Sequence, residues 1–113
     1  MLPQNNRLQK KKDIEAVFKK GKSFKEESLV LKAAENGLNV SRFGFVVSKK
    51  ISGKAVERNK IRRKLSEVIR LNSEEIKKGF DILLIAIKKV EVKKIKELES
   101  LTGKLFKKAD LLN

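Results

Sequence analysis

Apolar positions along the chain recur with two periods, and the change of period separates helices from strands. From Lys10 to Lys20, Ile14, Val17 and Phe18 repeat at helical spacing and Gly21 supplies a stop, which predicts a short first helix. Ser28 to Ala34 alternates instead, Leu29 and Leu31 against Val30 and Lys32, and reads as a strand, with Lys22 to Lys25 a briefer candidate before it. A turn at Glu35-Asn36-Gly37 follows, and its Asn-Gly pair predicts a hairpin because both residues tolerate positive φ. The return strand, Val40 to Ser48, puts Phe43, Phe45 and Val47 on one face. The other face carries Arg42, Gly44, Val46 and Ser48, more polar and notched by its glycine.

Lys49 to Lys54 is a loop around Ser52-Gly53, and the next segment runs as a helix to about Asn72. After Gly79, Phe80 to Ile87 is apolar at odd and even positions alike, so it belongs inside a sheet. Glu91 to Leu112 is a final helix that could break at Thr102-Gly103, with Ile95, Leu98, Leu101, Leu105 and Phe106 as its buried stripe. Residues 1–9 hold the sole proline and two asparagines and read as an irregular arm. The predicted order is α-β-β-β-α-β-α in a single domain over residues 1–113, without repeats or internal linkers.

Charge changes the picture from a fold to a binder. Lys and Arg number 29 against 14 acids, a net charge of +15, well above the roughly 2 to 8 that solubility asks of a small domain. Such self-repulsion calls for an anionic partner, nucleic acid first and an anionic membrane surface second. The chain has no Cys and no His, which removes thiol nucleophiles, imidazole bases and most zinc sites. The acids Asp13, Asp81 and Asp110 show no paired-carboxylate motif, and Asp81 reads as a strand-edge or salt-bridge acid. The amino-terminal segment has no apolar core of a signal peptide, and no stretch approaches the ~20 apolar residues of a membrane span, so a soluble, cytoplasmic protein is expected.

The cations concentrate in KAVERNKIRRKLSEVIR, residues 54–70, which holds seven Lys or Arg and two acids. At roughly 100° per residue, Ile61, Leu65, Val68 and Ile69 share about one-third of the helix circumference and form the packing side. Asn59, Arg63, Ser66 and Arg70 make a polar stripe roughly 120° to 150° away. Lys60 and Lys64 widen it, and Lys49, Lys50 and Lys54 extend it into the preceding loop. Arg58 and Arg62 fall beside the apolar edge, where their stems can pack against the sheet. Glu57 is placed to pair with Lys60, and Glu67 with Arg63 or Arg70. Arginine outnumbers lysine on these helical positions, and its fork matches phosphate oxygens where an ammonium cannot. The Asn59 amide adds hydrogen bonding to sugars or base edges.

The segment SKKISGKAVERNKIRRKLSEVIR, Ser48 to Arg70, resembles the "RNR" signature of the small protein subunit of bacterial ribonuclease P. Further matches are Asn6-Arg7-Leu8, Asp13-Ile14 before Val17-Phe18-Lys19-Lys20-Gly21, Arg-Phe-Gly-Phe-Val-Val from Arg42, and Leu-Phe-Lys-Lys from Leu105. The resemblance implies an α+β fold, a two-layer α/β sandwich like the second domain of ribosomal protein S5, with a left-handed βαβ crossover where the general rule is right-handed. It implies a subunit that binds the catalytic RNA, in a holoenzyme that removes the 5′ leader of precursor tRNA with Mg2+, the chemistry belonging to the RNA. No membrane or DNA partner and no protein-borne catalytic residue is then expected, and no metal site is assigned to the protein, a magnesium site shared with the RNA near the cleft staying open.

On this resemblance the signature falls on Arg58, Asn59 and Lys60, followed by Arg62, Arg63 and Arg70. Lysine at position 60 keeps the charge of the usual arginine and loses the fork. A separate leader cleft is implied between the first helix and the open sheet face, at Ile14, Phe18, Val30, Lys32, Val46, Ser48 and Leu112. With six Phe and neither Tyr nor Trp in the chain, base stacking there would centre on Phe18, whose plainer role is a core anchor. The alternative function is a structural RNA-binding protein of ribosomal type. A helix-turn-helix DNA binder and a stand-alone nuclease rank below it.

Overall fold

The computed structural model describes residues 2–87 and 95–113, the side chain of Ile95 excepted. A short 3-10 turn, Gln4–Asn6, precedes α1 (Lys11–Lys20), β1 (Lys22–Glu26), β2 (Leu29–Glu35) and β3 (Arg42–Val47). Then come α2 (Ala55–Leu71), a second 3-10 turn Ser73–Glu75, β4 (Phe80–Ala86) and α3 (Ile95–Lys108). This is the predicted α-β-β-β-α-β-α order, and the strands form one sheet ordered β1-β2-β4-β3.

β4 occupies the centre because its sequence has no polar face. Ile82, Leu83 and Leu84 are all at most 1% exposed, and burying such side chains contributes roughly 1.5 to 3 kcal/mol each. It pairs antiparallel with β2 and parallel with β3, so α2 is the crossover between adjacent parallel strands. Ile61, Leu65, Val68 and Ile69 of α2 and Leu98, Leu101, Leu105 and Phe106 of α3 bury one face of the sheet, against Leu29, Leu31, Phe43, Val47, Ile82 and Leu84. Among the described residues the opposite face is covered only in part, by Leu8 and α1, where Leu8, Val17 and Leu83 form a second small core.

The Asn-Gly hairpin expected between β2 and β3 is overturned, because β4 lies between those strands. Asn36 instead ties the connection to the start of β4: its N–H donates to the Gly79 carbonyl at 2.9 Å and its side-chain amide to Asp81 Oδ1 at 2.9 Å. Gly37 still supplies the positive φ, +71°. The true hairpin joins β1 to β2, with Glu27 in the left-handed region at φ 51°, a turn without the usual Gly or Asn.

The arm is docked rather than irregular. Leu2 and Leu8 are buried, Arg7 bridges Phe43, and the Leu8 N–H donates to the Phe43 carbonyl at 2.9 Å. It thereby covers the outer edge of β3, which would otherwise present unpaired backbone groups. The final helix runs through Thr102-Gly103 without a break and stops at Lys108, with Asp110 at φ 56°. Its expected start at Glu91 lies outside the described residues. Among the described residues no helix is long and apolar enough to cross a membrane.

Gly44 is where arm and sheet meet most closely. A Cβ there would lie 2.7 Å from Leu83 Cδ2 and 3.2 Å from the Leu8 carbonyl oxygen. Both neighbours are buried, so neither moves freely. Gly44→Ala is expected to lower stability by about 1 to 3 kcal/mol; an unchanged urea midpoint would show that the arm is not held at this notch.

Candidate nucleic-acid interface

The outward side of α2 and the loop before it form the first surface. Ile61, Leu65, Val68 and Ile69 are all buried, which turns Asn59, Lys60, Arg63 and Arg70 to solvent, with Lys64 and Ser66 half-buried between them. Lys49, Lys50 and Lys54 are exposed and continue the same positive strip. The angular reading of the helix therefore holds on both sides.

Arg58 and Arg62 do something that periodicity could not reveal. Arg58 Nη1 donates to the Ser52 carbonyl at 2.9 Å, clipping the lysine loop to the helix. Arg62 Nη1 donates to Asn59 Oδ1 at 2.6 Å and its Nη2 points at the Val47 carbonyl at 3.5 Å. Asn59 thus spends its amide oxygen on Arg62 and has its N–H groups to offer a sugar or base. Ser52 Oγ donates to Glu57 and accepts from the Lys54 N–H at 3.2 Å, further fixing the loop.

Glu67 accepts from Arg70 Nη2 at 2.5 Å and Nε at 3.1 Å. Their mutual hydrogen bonding raises the Arg70 pKa and lowers that of Glu67. Arg70 is exposed, so this pair is weakly held and a phosphate can compete for the guanidinium.

The second surface is the part of the sheet that α1 leaves open. Ile14, Val30, Lys32 and Val46 are half-buried there, Ser48 is exposed at the strand's end, and Phe18 is 45% exposed. Lys32 Nζ stands 5.2 Å from the Phe18 ring centre, within cation–π range. Ile85, half-buried beside Val46 and Ile14, belongs to the same surface; its signal was the double-sided apolarity of β4. Leu112 does not belong. It pairs with Ile76 and packs against the α2/α3 core on the other face, because the chain after Asp110 turns back along Glu75–Lys77, with the Lys77 N–H donating to the Leu111 carbonyl at 2.7 Å.

At one end of this surface two acids share one arginine. Arg42 Nε and Nη2 donate to the two oxygens of Asp81 at 2.8 and 2.7 Å, and its Nη1 reaches Asp13 Oδ2 at 3.3 Å. The Asp81 hydrogen bond is the main cause of the raised Arg42 pKa. Asp81 is therefore a salt-bridge acid, as its sequence context suggested. Asp110 is far more exposed and pairs with Lys77 at 3.5 Å. Among the described residues no three His, Cys, Asp or Glu side chains gather as a metal-holding group.

Comparison with known proteins places this geometry. The family model described as Ribonuclease P matches residues 2–110. A ribonuclease P protein component from Alkaliphilus oremlandii is 44% identical over 108 residues, covering 96% of this chain and 94% of the relative. One from Clostridium kluyveri is 42% identical over 107 residues, covering 93% and 95%. Among solved structures, the RNase P protein from Thermotoga maritima superimposes with a TM-score of 0.82 at 38% identity, covering 90% of this chain and 96% of that one. The Staphylococcus aureus RNase P protein gives a TM-score of 0.85 at 29% identity, covering 96% and 98%.

Arg58→Ala removes the clip on the lysine loop. Faster amide hydrogen exchange across residues 48–54 is expected, with about 1 kcal/mol of lost stability. Exchange at the wild-type rate would mean that Arg58 does not order this loop.

Proposed function

We propose a mode of action from one premise: this chain belongs to the ribonuclease P protein family, and is the protein subunit of a holoenzyme that matures the 5′ ends of tRNAs. Its partner is the ribonuclease P RNA. The basic strip on α2 and its loop is the surface for that RNA. Lys49, Lys50, Lys54, Lys60, Arg63 and Arg70 supply exposed charge, Lys64, Ser66 and Asn59 fill the stripe between them, and Arg58 and Arg62 hold loop and helix together. The partly open sheet face receives the single-stranded 5′ leader of precursor tRNA through Ile14, Phe18, Val30, Lys32, Val46, Ile85 and Ser48.

The observation that supports this reading is the contrast in chemistry between the two surfaces, which adjoin at Ser48 and Lys49. One is a row of cations suited to a folded RNA's phosphates. The other is apolar and half-covered, with one exposed phenylalanine and a lysine, suited to bases and backbone of a single strand. Leader contacts made on the protein favour precursor over product, since mature tRNA has lost the segment that fills the cleft. Mg2+ is used by the holoenzyme and assigned mainly to the RNA subunit, which carries the chemistry; in the protein, Asp13 and Asp81 are engaged by Arg42. The side chains of this protein bind and orient. We place the complex in the cytoplasm.

Reconstitution with ribonuclease P RNA tests the whole: the protein should raise leader removal or precursor affinity at low magnesium, and no effect on either would overturn the reading. Within the strip, Arg63→Ala should weaken RNA binding and reduce the salt slope by about 1. Leu65→Ala, two residues further on and on the buried side, should instead cost about 2 to 5 kcal/mol of stability. Equal salt slopes for wild type and Arg63→Ala would remove Arg63 from the phosphate contacts.

A further inference from the structure

We propose that the Asp13–Arg42 ion pair is a positioning device that sets α1 over the open sheet face, making Asp13 and Arg42 positioning residues for leader recognition. The proposal rests on the assignment of that face to the leader.

α1 needs such a device because its apolar hold is thin. It is ten residues long and buries a single side chain, Val17, and a helix this short is marginal by itself. Its C-terminal end is fixed by close approach, since a Cβ on Gly21 would come within 3.2 Å of the Ala33 carbonyl oxygen on β2. Its N-terminal end has Asp13 in the first turn, reaching Arg42 at 3.3 Å. Arg42 is a rigid anchor. Two of its nitrogens are bound to Asp81, which is 7% exposed in the central strand and also accepts from the Asn36 amide at 2.9 Å. The third nitrogen is thereby aimed at α1.

The lever is the distance from clamp to cleft. Phe18 lies five residues beyond Asp13, roughly 7.5 Å along the helix, so a tilt at the first turn changes the gap between the Phe18 ring and Val46 and Ile85. The carboxylate also sits favourably at the positive end of the helix dipole.

The test uses the reconstituted holoenzyme and compares affinity for precursor tRNA carrying a leader of several nucleotides with affinity for the same tRNA without one. Asp13→Asn should reduce the leader-dependent gain about two- to fivefold, with leaderless tRNA bound as by wild type and an unchanged melting transition. Asp13→Glu should restore most of the gain. Phe18→Ala separates the two ideas. If Phe18→Ala loses the leader-dependent gain and Asp13→Asn keeps it, the clamp is overturned and the cleft stands. If neither variant loses it, the cleft assignment itself fails. A uniform loss on both substrates with a lower melting transition overturns the proposal, since the pair would then be a folding contact only.

Discussion

Phe80–Ala86 has no side that tolerates water: Ile82 and Leu84 enter one layer, and Leu83 and Ile85 the other. A sheet built around such a strand needs cover on both faces. Two helices with buried stripes, α2 and α3, cover the first, with Phe24 and Phe45 half-buried beside them. Among the described residues the second is met by Leu8, Ile14 and Val17, and the remainder that they leave open is the cleft. Incomplete burial of one face is thus what leaves an apolar surface open to a ligand, in a protein whose main core is closed.

The same packing decides where the charge goes. Committing Ile61, Leu65, Val68 and Ile69 to the core turns the cations of α2 outward, on a chain that already carries +15. Several acids are engaged by cations: Glu26 by Lys108, Glu67 by Arg70, Asp110 by Lys77, and Asp13 and Asp81 by Arg42. Pairs at the surface return little stability, and the surplus positive charge still repels itself. An RNA that binds the folded form therefore stabilises it, so binding and folding are linked through the same lysines and arginines.

Most elements were legible in the sequence because their periods were clean. The helical spacing of Ile61, Leu65, Val68 and Ile69 and the two-sided apolarity of β4 each translated directly into burial. Connections were less legible. Asn36-Gly37 has the chemistry of a tight turn, but local φ preference does not say which strand comes next. The demand of β4 for two neighbours outweighed it and inserted that strand between β2 and β3. Glu27 makes the real hairpin without a turn signature, held by the β1–β2 pairing around it. Leu112 was misplaced because its position depends on a long-range bridge to Ile76. Long-range ion pairs such as Asp13 with Arg42, 29 residues apart, leave no periodic trace at all.

The arginines of the basic helix show where sequence chemistry was right in kind and incomplete in role. A guanidinium fork suits phosphate, and Arg63 and Arg70 stand on the exposed side where such a fork is accessible. At Arg58 and Arg62 the fork serves the protein itself, bonding the Ser52 carbonyl and the Asn59 amide oxygen while the stems lie half-buried. Lysine, with a compact ammonium and no planar fork, would fit those two positions less well. Position 60 is the reverse case. Lys60 is exposed and carries a point charge without a fork. Lysine in place of the arginine that the resemblance implies thus falls at an exposed position, away from the contacts that Arg58 and Arg62 make within the fold.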